Sequence, residues 1–210
     1  MVHVPWSAAL DRLVADVMSS AEIPSNSTVD TRPLACFSPC VDNLKQDLRN
    51  LTPEVFREMI QGSRETPTHF KWLIYAAKDE SLKVWLHEYK DFDTRLRGYT
   101  QSIHNHRYSF MSLVVAGGYR HTRYLVPPLN ELDRQPPALT HDETLRPGAI
   151  YSLAPHDFHC VTRIDDGTVS LVVQSSSRDP HSVSIDEVTQ KAVRHIPIEA
   201  RLDILRSVIH

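Results

Sequence analysis

His104 and His106 stand one residue apart, and His159 follows far downstream. Neutral imidazole is a good ligand for first-row transition metals. In an extended strand, residues two apart face the same way and lie about 6.6 Å apart along the chain. Two rings on one strand can therefore turn toward one ion, and a third from another strand can close a triangle. Three protein nitrogens leave coordination positions open, and open positions do chemistry. A His-x-His pair alone is often found on strands that bind no metal, so the surrounding spacing carries the weight. Gly98 precedes His104 by six positions, Gly118 follows His106 by twelve, and Gly148 precedes His159 by eleven.

These histidines need strands to hold them. Short β-type runs occupy 69–77, 82–89, 108–116, 119–126, 149–153, 158–164 and 168–174, with turn residues between them, notably Gly117-Gly118 and Asp165-Asp166-Gly167. Strands at this spacing without intervening helices predict an antiparallel sandwich or barrel. The Pro-rich, polar stretch 127–147 reads as a long loop. The first third reads as helical: 5–19 and 41–51 carry apolar residues at helical spacing. Thr52 caps a further helix, with Pro53 in its first turn and Gly62 as terminator. Helix is also expected over 186–195 and again over 197–209. One domain is predicted, with a helical extension over 1–66, a barrel over 67–180 and a helical segment over 181–210.

Composition excludes several classes. With 23 basic and 26 acidic residues the net charge is −3, and no basic stripe suggests nucleic acid. No apolar run approaches the roughly 20 residues needed to span a membrane, and the N-terminus carries no signal-peptide pattern. Three cysteines, an odd and small number, point to a reduced, cytoplasmic protein. Cys36 and Cys40 lack a nearby partner pair at zinc-finger spacing, and Cys160, beside His159, reads as a buried small hydrophobe.

The segment from Gly98 to Gly118, with Gly148 and His159, resembles the cupin family. Its first motif is Gly, five residues, His-x-His, three or four residues, Glu, six residues, Gly; here Met111 stands at the glutamate position. Its second motif places a histidine eleven residues after a glycine. The resemblance spans roughly residues 69–175 and implies a mostly-β double-stranded β-helix, or jelly-roll barrel, with the helices added at its ends. It implies a metal on His104, His106 and His159, with no carboxylate ligand because a thioether is a poor substitute. Within the family, three-histidine sites are typical of the cysteine dioxygenase-like thiol dioxygenases and of some ring- or diketone-cleaving dioxygenases. The text "GYTQSIHNH" over 98–106 is similar to their first ligand segment. The strand after the third ligand departs, reading Ser170-Leu-Val-Val-Gln174 where they carry Ser-Leu-His-x-Tyr.

The function so implied is a mononuclear non-haem Fe(II) dioxygenase acting on a small, anionic, metal-chelating substrate, such as a thiol or amino-acid derivative, together with dioxygen. The alternatives are a zinc, manganese or nickel cupin doing lyase, isomerase or hydrolase chemistry, and a cupin that only binds a small ligand. A homodimer is expected. Tyr108 shares the parity of the two histidines and is expected to line the cavity; Arg107 is expected to point away. Tyr108 and His121 are the catalytic candidates. Lys71, which lies where the resembled dioxygenases carry a carboxylate-binding arginine, is a substrate-binding candidate with Arg123 and Tyr151. His156 is a further candidate for the cavity mouth.

Overall fold

A computed structural model describes residues 48–77, 81–90 and 102–197, together with isolated positions 29, 30, 46, 79, 205, 206 and 208. The helix expected over 5–19, and most of those expected over 41–51 and 197–209, lie outside the described residues.

Two antiparallel sheets face one another. The first runs in the order β1 (Val29–Asp30), β9 (Ile150–Leu153), β6 (Phe110–Ala116), β11 (Val169–Ser175), β4 (Leu82–Tyr89), β3 (His69–Ala76) and β2 (Arg64–Glu65). The second runs β13 (Ala192–His195), β12 (Ser182–Ile185), β5 (Ile103–His104), β10 (Phe158–Thr162), β7 (Tyr119–Leu125) and β8 (Ala138–Leu145). The mostly-β, two-sheet jelly-roll class expected from the sequence is the class observed. No helix among the described residues is long and apolar enough to cross a membrane.

Each sheet separates two apolar layers because successive side chains alternate in direction. On β6, Phe110 and Val114 face the interior with Tyr119, Tyr151, Leu153 and Val172. Met111, Leu113 and Val115 face outward, into a second core with Ile74, Leu86 and Met59. Met59 is the buried residue of α1 (Pro53–Gly62), which roofs this outer face. Its start follows the sequence reading: Thr52 Oγ1 accepts from the Val55 amide at 3.4 Å and Pro53 sits in the first turn.

The turn between β6 and β7 is pinned to Thr168, the residue just before β11. Thr168 Oγ1 accepts from the Gly118 amide at 3.0 Å, its hydroxyl positioned by the Gly118 and Asp165 carbonyls. Gly117 has φ +67°, and a Cβ there would fall 2.3 Å from Thr168 Oγ1, so this turn accepts only glycine.

Two expectations need correction. Residues 186–195 are not helical: β12 and β13 form a hairpin, with Ser184 opposite Val193, that extends the second sheet. Val183 and Ile185 are buried while their neighbours Ser182 and Ser184 are only half-buried, an alternation of two that outweighs the helical reading. The stretch 127–147 is not all loop. After a short turn at Leu129–Glu131, β8 pairs along β7, from Tyr119 opposite Leu145 to Leu125 opposite Ala138. As an edge strand exposed along most of its length it is polar, Leu-Thr-His-Asp-Glu-Thr, so hydropathy does not betray it. Leu129 and Leu132 of the turn pack on Ile103, Val183 and Ile185, closing the outer face of the second sheet.

Candidate metal centre

His104 lies on β5 directly opposite His159 on β10, so both side chains leave the second sheet on its inner face. His106 lies past the end of β5, where the chain bends. It nevertheless turns back: the ring centroids of His106 and His159 are 5.1 Å apart, and those of His104 and His159 are 4.3 Å apart. One ligand atom from each of the three falls within 4.8 Å of the others. His106 Nε2 and His159 Nε2 are separated by 2.9 Å. Two nitrogens each about 2.1 Å from one ion, with a right angle between the bonds, lie about 3 Å apart, so this spacing fits a shared cation.

The outer nitrogens support that orientation. His104 Nδ1 donates to the Ser102 carbonyl at 2.9 Å, which leaves Nε2 as the lone-pair atom. His159 Nδ1 meets His121 Nε2 at 3.1 Å. Behind His121, the Glu143 carboxylate stands 3.8 Å from Nδ1, too far for a hydrogen bond but close enough to hold the N–H dipole toward it. The chain Glu143, His121, His159 thus fixes the His159 tautomer with Nε2 inward, as metal-ligating histidines require of their surroundings. Burial keeps the imidazoles in the ligand form: it lowers His104 to about 4, with the Ser102 bond opposing, and it takes His106 and His159 well below 6.5. Burial likewise lowers His121, so the relay is neutral near pH 7.

The triad forms one wall of a cavity of about 540 Å³ between the sheets. Lys71 and Tyr151, expected at the substrate, both line it, and so does Tyr108, whose ring lies 5.4 Å from that of His106. Burial raises the Tyr108 and Tyr151 phenols, so both stay protonated as possible donors. Lys71 Nζ stacks 4.6 Å from the Trp85 ring. Burial, then the charges of Arg64, Lys83 and Arg107, bring its ammonium down to about 7; an anion entering the cavity would raise it again.

Other candidates fall elsewhere. His121 is fully buried behind His159, so it positions a ligand instead of lining the cavity. Arg123 is also buried on β7, opposite His159 in register, and is absent from the cavity wall; its Nε and Nη2 have no hydrogen-bond partner. His156 is exposed, 3.9 Å from Asp179. Cys160 is buried, as expected.

Two residues change sides. Arg107 lines the cavity, because residues 105–109 bend and strand alternation does not apply to them. Met111 is not beside the triad; it faces the outer core, and the residue at the carboxylate position is Phe110, whose ring is 4.7 Å from His106 and 5.9 Å from His159. The shorter of the two motif spacings is therefore the one in force. The three-histidine reading is unaffected, since neither side chain is a ligand. The sequence reading missed His69, His87, Ser182 and His195 as lining residues.

No family model matches the chain, and none of the curated proteins does. Among solved structures, KdgF from Halomonas sp. is 11% identical with a TM-score of 0.37, over 56% of this chain and 89% of that one. Oxalate decarboxylase from Bacillus subtilis at pH 4.6 is 11% identical with a TM-score of 0.40, over 68% of this chain and 34% of that one. Streptomyces albus HEPD, with 2-hydroxyethylphosphonate and Fe(II) bound, is 8% identical with a TM-score of 0.38, over 56% of this chain and 25% of that one. The chain thus spans only a fraction of the last two. What these proteins bind is a property of theirs.

Proposed function

We propose that this chain is a metal-dependent cupin enzyme, an oxygenase that holds one Fe(II) on His104, His106 and His159 and acts on a small anionic substrate able to chelate it. The observation that supports this most is the convergence of three neutral imidazoles, His104 and His159 buried and His106 half-buried, on the wall of one cavity. Bound there, Fe(II) would supply Lewis acidity and one-electron chemistry toward dioxygen.

The chain's own residues account for substrate charge and water exclusion. Lys71 and Arg107 line the cavity, and among its described lining residues there is no carboxylate. Three neutral ligands also leave the charge of a divalent ion uncompensated, so an anionic group is favoured at both places. Tyr108, neutral and with its ring beside that of His106, would serve as the hydrogen-bond donor to a group held at the triad. Phe110, Tyr151, Val161 and Val172 supply apolar wall that keeps water away from reactive species. His121 and Glu143 act only through His159.

The test is metal analysis with oxygen uptake. Protein loaded anaerobically with Fe(II) should retain one equivalent and consume oxygen with members of a thiol and enol panel. His104→Ala should lose both, with an unchanged circular dichroism spectrum. A wild-type chain that retains no iron overturns the proposal. Iron retention without oxygen uptake, together with turnover on zinc or manganese, would select Lewis-acid chemistry instead.

A further inference from the structure

On the sheet opposite the triad, His69 and Lys71 of β3 and His87 and Tyr89 of β4 share one inward face. Lys71 is opposite His87 and His69 opposite Tyr89 in register. The rings of His69 and His87 are 4.4 Å apart and tilted by 31°. Both residues line the same cavity as His104, His106 and His159. His69 is 9% exposed, and the Nε2 atoms of His69 and His87 are buried without a hydrogen-bond partner. Buried polar nitrogens in folded proteins are nearly always bonded, and leaving one unbonded is costly because the lost solvation is not replaced. Two such atoms side by side on a cavity wall mark a place that a ligand completes.

Thr68 Oγ1 lies 2.8 Å from His69 Nδ1. With the hydroxyl donating there, His69 carries its proton on Nε2 and presents an N–H donor. The ring stack with His87 is apolar contact and satisfies neither nitrogen. Lys71 on the same wall, and Arg107 elsewhere in the cavity lining, supply positive charge. The His69 N–H and the unpartnered nitrogen of His87, which can carry its proton in the same way, fit an oxyanion near these cations, whereas a cationic group would find no carboxylate partner there among the described lining residues. Tyr89, Phe110, Tyr151 and Val172 line the space that an apolar body would fill. About 540 Å³ is within the roughly 300–1,000 Å³ of small-molecule sites.

We infer that His69 and His87 form a second recognition point, which binds the oxyanion tail, carboxylate or phosphonate, of a substrate whose other end chelates the ion at the triad. The substrate is then bifunctional, with a compact apolar or aromatic body between its two polar ends. This rests on the metal-site reading above, but binding of the tail needs no metal.

The experiment therefore uses metal-free full-length protein. Benzoate and phenylphosphonate are titrated while the imidazole Cε1–Hε1 signals of His69 and His87 are followed by NMR. Both signals should move saturably, and His69→Phe and His87→Phe, which keep a ring in the stack, should each weaken binding at least tenfold. The tighter of the two probes identifies the tail as carboxylate or phosphonate. Wild-type signals that do not shift, or affinities unchanged in both variants, would overturn the inference. Should a variant not fold, the wild-type shifts alone decide. Co(II) titration runs alongside: visible absorption bands with the same affinity in both variants show an intact triad, and a wild type that takes no Co(II) disproves the metal reading without touching the tail site.

Discussion

Replacing His121 by Phe separates the positioning of a ligand from the ligand itself. The ring remains to pack on Tyr151, whose centroid is 4.3 Å away. The substitution removes the one nitrogen that meets His159 Nδ1, at 3.1 Å, and leaves that buried N–H without its acceptor. His159 can then recover a bond only by rotating or by moving its proton to Nε2, and either change withdraws the lone pair from the triad. Loss of such an outer partner typically lowers metal affinity 10–100-fold, which is about 1.4–2.7 kcal/mol. Glu143→Gln should cost less, because at 3.8 Å the carboxylate orients His121 without a hydrogen bond. The assay is competition for Zn(II) or Co(II) against a chromophoric chelator, with urea unfolding of the metal-free protein as the control for folding. His121→Phe that binds metal as tightly as wild type while folding normally would refute the relay. Equal losses in stability and affinity would make His121 a core residue and nothing more.

Two other outcomes follow from burial and register. Burial brings the folded-state pKa of His104 down to about 4 and of His69 to about 3, from 6.5. As pH falls below 6.5 the unfolded chain takes up protons first, so stability present above that pH is lost progressively toward pH 3–4. At pH 5 each group costs about 2 kcal/mol relative to pH 7; urea midpoints of metal-free protein that stay flat between pH 7 and 5 would contradict the burial. The register of β6 predicts opposite effects of glutamate at neighbouring positions. Phe110→Glu puts a carboxylate beside His106 and should tighten Mn(II) binding at least tenfold, whereas Met111→Glu buries a charge among Met59, Leu86 and Leu113 and should destabilise the fold by several kcal/mol without aiding the metal. Metal titrations and thermal melts of the two variants decide it, and tighter binding by Met111→Glu would reverse the assignment.

The metal ligands were legible because their chemistry is stated by residue type and their convergence by spacing. The helix at Thr52 and the inner strands were legible for a similar reason: a cap, a proline and runs of β-branched residues are local signals. What failed was whatever depends on a partner. β8 is polar because it is an edge, and only its pairing with β7 makes it a strand. The hairpin of β12 and β13 carries Ser, Asp, Lys and Arg among its apolar residues, and its register is set by β5, which lies far away in sequence. Alternation holds within β6, where it separates Phe110 from Met111, but not across the bend at 105–109, so Arg107 enters the cavity. Met111 is a separate matter: the longer of the two motif spacings points to it, whereas the shorter one gives Phe110, the residue beside His106.

His69 and His87 show the same limit at the site. Each stands in a strand run whose other residues are mostly aromatic or aliphatic, and a lone histidine there is usually a satisfied core residue. Their significance arises only when β3 and β4 pair, bringing the rings to 4.4 Å, and when the sheet so formed faces the triad across a shared cavity. Spacing along the chain can nominate residues that meet on one strand. Residues that meet across a sheet, 18 positions apart in the chain, are nominated by topology, and the recognition of a substrate tail is written at that level.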